Sequence, residues 1–323
     1  MQIEPKPNKK PIYHELFSPE SKSLVIMVGV SDEIIERVLR FDYDRLKIDF
    51  GDWNDLSFLH GNEKKIKKLF IGSENCDWSV INEFYNLEEL VIGGWLKTKL
   101  SFTKFTKLKV LDTYWNEGYT NDIYDLPMLE KLSITGGNFI SLKNFATYKS
   151  LKELEIVDSY KLESCDGICE LKKLEKISFY GMRKLNDVNA LGKLANLEML
   201  ILKGCNSLNH LRGLGESNSI RRLFLERCKK LEGYDFLKGR ISKTLKILWL
   251  IDLKIGSLRV LSELSNLTHL NLTGSKVVDG DLTILFNLKE LKSVMLKNSR
   301  NFHPSAKEVE AFLELKKVIN HKS

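Results

Sequence analysis

Apolar residues recur along the chain in the pattern apolar-x-x-apolar-x-apolar, beginning at Tyr43, Ile66, Leu87, Leu108, Leu129, Leu151, Leu174, Leu197, Ile220, Leu245, Leu267 and Leu291. Successive starts lie 21 to 25 residues apart, a constancy that unrelated strands of a globular domain would not keep. Within each copy the apolar positions alternate, which predicts a short strand. Neighbouring side chains of a strand point to opposite faces, so Leu200 and Leu202 turn inward while Ile201 and Lys203 turn outward. One strand cannot bury its own leucines. Stacked neighbours about 4.8 Å apart make a parallel sheet with a continuous apolar inner face, roughly 50 Å long over eleven steps and closed from behind by the later leucines of each repeat.

The clearest copies carry Leu197, Leu200, Leu202, Cys205 and Leu208, then Ile220, Leu223, Leu225, Cys228 and Leu231, then Leu267, Leu270, Leu272 and Ser275. These residues resemble the LxxLxLxxN/CxL signature of the leucine-rich-repeat family, from Tyr43 to about Phe302, with Tyr43 and Thr113 the weakest matches. The resemblance implies an α/β solenoid: a curved horseshoe with a parallel sheet on its concave face and about twelve repeats. Where the family often has an asparagine ladder, this chain has Ser159, Cys205, Cys228, Ser275 and Ser299, small groups able to bond the backbone of the turn that leaves the strand. Repeats this short predict turns and single helical turns behind the sheet, with one or two short helices.

Both ends of such a stack expose leucines and require caps. Residues 1–42 are read as the N-terminal cap, with a strand at Leu24 to Val30 and a helix capped by Ser31 that places Ile34, Ile35, Val38 and Leu39 on one face. Residues 43–302 are the repeats. Residues 303–323 are the C-terminal cap, where Pro304, Ser305 and Glu308 form a capping box opening a helix that turns Val309, Phe312 and Leu313 onto the last repeat. The whole reads as one continuous domain.

Composition narrows the setting. The chain has 323 residues, 43% hydrophobic and 29% charged, without a low-complexity tract. The start has no apolar core of the kind a secretory signal needs, and Leu24 to Val30 is about a third of a bilayer-spanning length, so neither export nor membrane anchoring is expected. Five cysteines form no CxxC pair, and their odd number fits reduced thiols and a cytoplasmic location. The sequons at Asn266 and Asn271 are taken as chance matches within a repeat core. A formal charge of +7 raises nucleic acid as a partner, but the lysines alternate with glutamates, as in residues 151–155 and 171–176, and a mixed solvated surface is the favoured reading.

Catalytic chemistry finds no support. The six histidines stand at no spacing that zinc sites use, and Cys165 with Cys169 reads as two small hydrophobes behind the sheet. No phosphate loop, Gly-x-Ser-x-Gly elbow or His-Glu-x-x-His is present. Gly93, Gly94, Gly136 and Gly137 fall at strand exits, where positive φ is expected. No cofactor and no metal are expected, and the chain is read as a non-enzyme.

Function in such a fold resides in the outward strand positions, whose side chains project from a rigid sheet. Most are small or charged. On three successive strands, however, Met199, Ile201, Phe224, Ile247, Trp249 and Ile251 form an apolar patch rimmed by Lys203, Arg222, Glu226 and Arg227, the composition of a protein-binding hot spot. The alternative is that a loop covers the patch or a turn shields Trp249. A secondary cluster, Trp95, Tyr114, Trp115, Tyr119 and Tyr124, lies at the exits of two adjacent strands, where it serves either binding or packing under a turn. The chain is similar to stand-alone bacterial leucine-rich-repeat proteins, which include immunity proteins and secreted effectors. The partner is therefore expected to be another protein bound on the concave face, with neutralisation of a toxin taken first, an effector or scaffold role second, and nucleic-acid binding through basic surface third.

Overall fold

The computed structural model describes residues 12–18, 21–28, 32–40, 42–48, 56–72, 77–95, 98–118, 120, 122–297 and 299–320. Their contacts divide the chain into two units, residues 1–137 with 147–151, and residues 138–146 with 152–323.

In the first unit, β1 (Ile12–Ser18) and β2 (Ser21–Val28) form an antiparallel hairpin that leads into α1 (Asp32–Arg40). The parallel strands β3 (Arg45–Ile48), β4 (Lys68–Ile71), β5 (Glu89–Ile92), β6 (Val110–Tyr114) and β7 (Lys131–Thr135) follow in chain order. Leu24, Leu46, Leu69, Leu90, Leu111 and Leu132 stand in register across these strands, and all are buried. The expected N-terminal strand is β2, and Ile34 and Val38 of α1 are buried as the pattern requires, with Ile35 half-buried. Ser31 and the Leu39 side chain lie outside the described residues. Strand β1 has no leucine signature and is an addition to the expected cap. Gly136 and Gly137 have the expected positive φ, 86° and 112°. Gly93 does not. There a Cβ would stand 3.2 Å from Gly72 Cα, so the backbones approach closely enough that a side chain would need a small shift.

The second unit continues the pattern with β8 (Glu153–Val157), β9 (Lys176–Tyr180), β10 (Met199–Lys203), β11 (Arg222–Glu226), β12 (Ile247–Ile251), β13 (Lys254–Ile255), β14 (His269–Asn271), β15 (Lys276–Val277) and β16 (Ser293–Met295). Strands β8 to β12, then β14 and β16, pair in parallel. β13 and β15 form a two-stranded side ribbon. Together with the single 3₁₀ turns behind the strands, such as Ile168–Glu170, Asn189–Lys193 and Arg212–Glu216, this is the leucine-rich-repeat solenoid that the spacing predicts.

Each of β8 to β12 leaves through a residue in the left-handed region: Asp158 (φ 54°), Gly181 (72°), Gly204 (68°), Arg227 (53°) and Asp252 (53°). The N–H of that residue donates to the matching strand-end carbonyl of the next repeat, at 2.8 Å for Asp158 to Tyr180, Gly181 to Lys203 and Gly204 to Glu226, and at 3.1 Å for Arg227 to Ile251 and Asp252 to Thr273. At three of these exits the next residue is a small serine or cysteine, Ser159, Cys205 or Cys228, and Ser275 likewise follows Gly274 (φ 72°); Met182 and Leu253 stand at the other two. Cys228 Sγ donates to the Leu202 carbonyl at 3.5 Å, and Ser275 Oγ donates to the Leu250 carbonyl at 2.7 Å while accepting the Leu253 N–H at 2.8 Å. Ser159 and Cys205 are wholly buried in the same role. The substitutes for the asparagine ladder thus tie each turn to the repeat before it.

At the C-terminal end, α2 (Ile284–Asn287) meets α3 (Ala306–Asn320) through Phe286 and Phe312, whose rings lie 4.7 Å apart, edge to face. The predicted capping box is formed: Ser305 N–H and Oγ donate to Glu308 Oε2 at 2.8 and 2.7 Å. Val309 and Leu313 are buried, and Lys316 Nζ donates to the terminal carbonyls of Leu288 and Leu291. Among the described residues no helix is long and apolar enough to cross a membrane.

The 3₁₀ turns pack backbone to backbone at two glycines. A Cβ on Gly213 would collide with the backbone of Asn189, whereas one on Gly204 would meet nothing nearer than Gly181 at 3.6 Å. Gly204→Ala therefore carries only the left-handed backbone penalty of about 1–2 kcal/mol. Gly213→Ala carries no left-handed penalty but requires the Asn189 backbone to move, and is expected to cost more, with overpacking worth about 1–3 kcal/mol. Urea denaturation of the two variants checks the order, and equal midpoints would refute it.

Candidate functional site

The register of β10, β11 and β12 builds the apolar patch. Met199, Arg222 and Ile247 share one row, Ile201, Phe224 and Trp249 the next, and Lys203, Glu226 and Ile251 the third. Their inward neighbours Leu200, Leu202, Leu223, Leu225, Leu248 and Leu250 are fully buried, so the leucines that anchor the strands fix the outward rows as well. Phe224 and Trp249 meet edge to face, with centroids 4.6 Å apart and planes at 82°, a geometry worth about 0.5–1.5 kcal/mol beyond burial. Both rings, with Met199, Ile201, Ile247 and Ile251, remain half-exposed.

Around this centre the charges are mutually satisfied. Glu226 Oε1 lies 3.1 Å from Lys203 Nζ and 3.6 Å from Arg227 Nε, and Arg227 Nε donates to Asp252 Oδ2 at 3.0 Å. Arg222 is exposed. The row of Ile201, Phe224 and Trp249 ends in buried groups on both sides. Asn271, beside Trp249, is 7% exposed and accepts the Thr273 N–H at 2.9 Å. Ser178, beside Ile201, is fully buried, and its Oγ has no hydrogen-bond partner among the described residues.

The aromatic cluster of the first unit grades from surface to core. Trp95 is 49% exposed and packs on Tyr114 at 5.3 Å. Trp115 contacts Tyr124 at 5.9 Å, and Tyr124 contacts Tyr148 at 6.3 Å. Tyr148 is wholly buried and donates to the Ile123 carbonyl at 2.9 Å, with burial raising its phenol well above the usual value. Trp95 and Tyr114 form the accessible end of the cluster, while Trp115 and Tyr124 belong to its packed end. Tyr119 lies outside the described residues.

Two groupings escape a reading of single columns. His60 Nδ1 lies 3.1 Å from Glu83 Oε2, and Glu63 joins them so that the three donor atoms fall within 4.8 Å of one another. Glu83 comes from the following repeat, which is why spacing around His60 did not reveal it. A groove of about 200 Å³ lies among Arg45, Lys47, Lys68, Leu69, Phe70, Glu89 and Val91, residues on three strands that sequence reading treated as ordinary solvated surface. Of the cysteines, Cys165, Cys205 and Cys228 are buried, and burial pushes the Cys165 thiol far up, consistent with the packing role expected of it. Asn266 is exposed and donates to the Lys243 carbonyl at 2.6 Å, so unlike Asn271 it does not sit in the repeat core as expected.

No family model and no curated protein matches the chain. Among solved structures it is similar to an internalin of Listeria monocytogenes, with a TM-score of 0.63 at 17% identity over 86% of this chain and 83% of that one. It is also similar to a leucine-rich-repeat protein of Leptospira interrogans, with a TM-score of 0.53 at 21% identity over 84% of this chain and 64% of that one. These likenesses are of fold, and the fold is the leucine-rich-repeat solenoid.

Two substitutions test the polar groups of the sheet face. Ser178→Ala removes a buried hydroxyl without a partner and is expected to raise stability by about 1 kcal/mol; a fall in thermal midpoint would contradict that. At Asp112, between Val91 and Ser133 in register, burial lifts the carboxyl above its ordinary value, against the lowering hydrogen bond with Ser133. A raised folded-state value means the charged form opposes folding above that value and the opposition vanishes below the ordinary carboxylate range. Asp112→Asn should therefore raise the thermal midpoint at neutral pH and lose that advantage by about pH 3, and a pH-independent effect would disprove the assignment.

Proposed function

We propose that the chain is a non-catalytic protein-interaction module that binds a partner protein on its strand face, centred on Phe224 and Trp249. The observation that carries this reading is the half-buried edge-to-face pair of β11 and β12, with β10 in register beside it. Met199, Ile201, Ile247 and Ile251 extend the apolar centre, and Lys203, Arg222, Glu226 and Arg227 edge it. Docking would remove the apolar rows from water at about 25 cal/mol per Å². The rim charges already hold one another, so an arriving surface has few unpaired charges to desolvate. Trp95 and Tyr114 provide a second, smaller apolar surface in the other unit, with Trp115 packed behind it.

The function we place first within this reading is neutralisation of a toxin by occlusion, the role of an immunity protein acting in the cytoplasm. Occlusion requires a long-lived complex and no chemistry, and a face held rigid before binding loses little entropy on docking. A secreted effector or scaffold would use the same face. Nucleic acid is the less favoured partner, because two of the three cations of the patch, Lys203 and Arg227, are already paired with Glu226 and Asp252, which leaves Arg222.

The test is recovery of partner from native lysate by wild-type chain and by the double variant Phe224→Asp with Trp249→Asp, whose outward positions leave the leucine core intact. Recovery is expected to fall by at least about tenfold, which is 1.4 kcal/mol, and to change little with salt. A folded double variant that recovers as much partner as wild type would sink the patch. Binding that collapses steeply as salt rises would instead indicate nucleic acid. A toxin encoded beside the chain and captured only by the wild-type patch separates neutralisation from the effector role.

A further inference from the structure

The groove of the first unit has a composition unlike the Phe224 patch. Arg45 and Lys68 stand directly opposite each other on β3 and β4, and Lys47 stands opposite Phe70. Like charges directly opposite on neighbouring strands are unfavourable. The groove holds one carboxylate against these three cations, Glu89 of β5, and it reaches past β4 to Arg45 at 3.7 Å. Lys68, although opposite Glu89 in register, forms no ion pair among the described residues. Lys47 Nζ lies 4.8 Å from the centre of the Phe70 ring, so one cation is drawn onto the aromatic wall. Leu69, Phe70 and Val91 supply an apolar lining of about the size of one side chain, within about 200 Å³.

We propose that this groove receives an acidic side chain of a protein partner, its carboxylate placed between Arg45 and Lys68 and its methylenes against Phe70 and Val91. A carboxylate at that point relieves the repulsion between Arg45 and Lys68 and gives Lys68 a direct ion pair, where the described residues supply only the more distant charge of Glu88. Arg45, held by Glu89, presents its guanidinium for a forked hydrogen bond. A nucleic-acid backbone fits the surroundings less well. A polyanion crossing the strands would meet Glu89 and then Asp112 on β6, next to Val91 in register, and the basic positions here are confined to two strands. The site is separate from the Phe224 patch and stands without it.

The probe is a fluorescein-labelled hexapeptide of alternating Glu and Leu, followed by anisotropy at low salt against the full chain. The same peptide with Gln in place of Glu, a labelled single-stranded oligonucleotide and competing inorganic phosphate form the other arms. Wild type is expected to bind the Glu peptide at least about tenfold more tightly than the Gln peptide, with affinity falling as salt rises. Arg45→Gln with Lys68→Gln should lose that preference. Lys104→Gln with Lys107→Gln, the same loss of charge at exposed positions elsewhere in this unit, should keep it. So should the Phe224→Asp, Trp249→Asp variant, which separates this groove from the proposed function. The idea is overturned if wild type does not bind the Glu peptide at up to about 1 mM, if the Lys104 and Lys107 variant loses as much affinity as the Arg45 and Lys68 variant, or if the oligonucleotide or phosphate occupies the groove as tightly as the peptide.

Discussion

In the second unit the N–H of the residue leaving each strand donates to the carbonyl that ends the following strand, at 2.8 to 3.1 Å across five successive repeats. This bond sets the register. A slip of one residue would turn the buried leucines toward solvent and the outward residues toward the core, so the contents of the outward face follow from the same bond that keeps the leucines in contact. The inward thiols and hydroxyls of Cys228 and Ser275 reinforce it by tying each turn back to the preceding repeat. Because Cys228 is buried and Ser275 half-buried, their bonds compete less with water than surface bonds do.

The bond requires left-handed backbone at the strand exit, and the chain meets that requirement in two ways. Gly181 and Gly204 adopt it without a side-chain penalty, whereas Asp158, Arg227 and Asp252 adopt it at φ near 53° despite carrying side chains. Two of those three stand at the edge of the Phe224 patch and bond to each other, Arg227 Nε to Asp252 Oδ2. Side chains at these exits add Arg227 and Asp252 to a rim that Lys203, Arg222 and Glu226 supply from the strands. Glycine there would satisfy the backbone and remove those two from the rim, so the strain of about 1–2 kcal/mol per residue accompanies two of the charged groups that surround the apolar centre.

The two units present different surfaces on one kind of scaffold. In the second, apolar outward rows coincide across β10, β11 and β12, and the surrounding charges neutralise one another. In the first, cations coincide across β3 and β4 with a single carboxylate to answer them in the groove. Both arrangements arise because in-register stacking places equivalent positions of successive repeats side by side, about 4.8 Å apart. A residue's chemistry is then multiplied or cancelled by residues more than twenty positions away, as Glu83 does for His60 and Lys68 does for Arg45.

The spacing of leucines by itself determined the strands, their parallel order, the inward and outward faces, and the membership of the Phe224 patch, because side-chain alternation and a constant repeat length leave little other way to bury so many leucines. The capping box at Ser305 and Glu308 was equally legible, being local in sequence. Tertiary structure alone decided what depended on side-chain reach or backbone approach: the edge-to-face contact of Phe224 with Trp249, the division of the Trp95 cluster into accessible and packed ends, the close approach of the Gly72 and Gly93 backbones, and the cation-lined groove at Arg45 and Lys68. Periodicity reports which face a residue occupies. It carries no information on where the end of a long side chain comes to rest, and that is settled only by the neighbours that packing supplies.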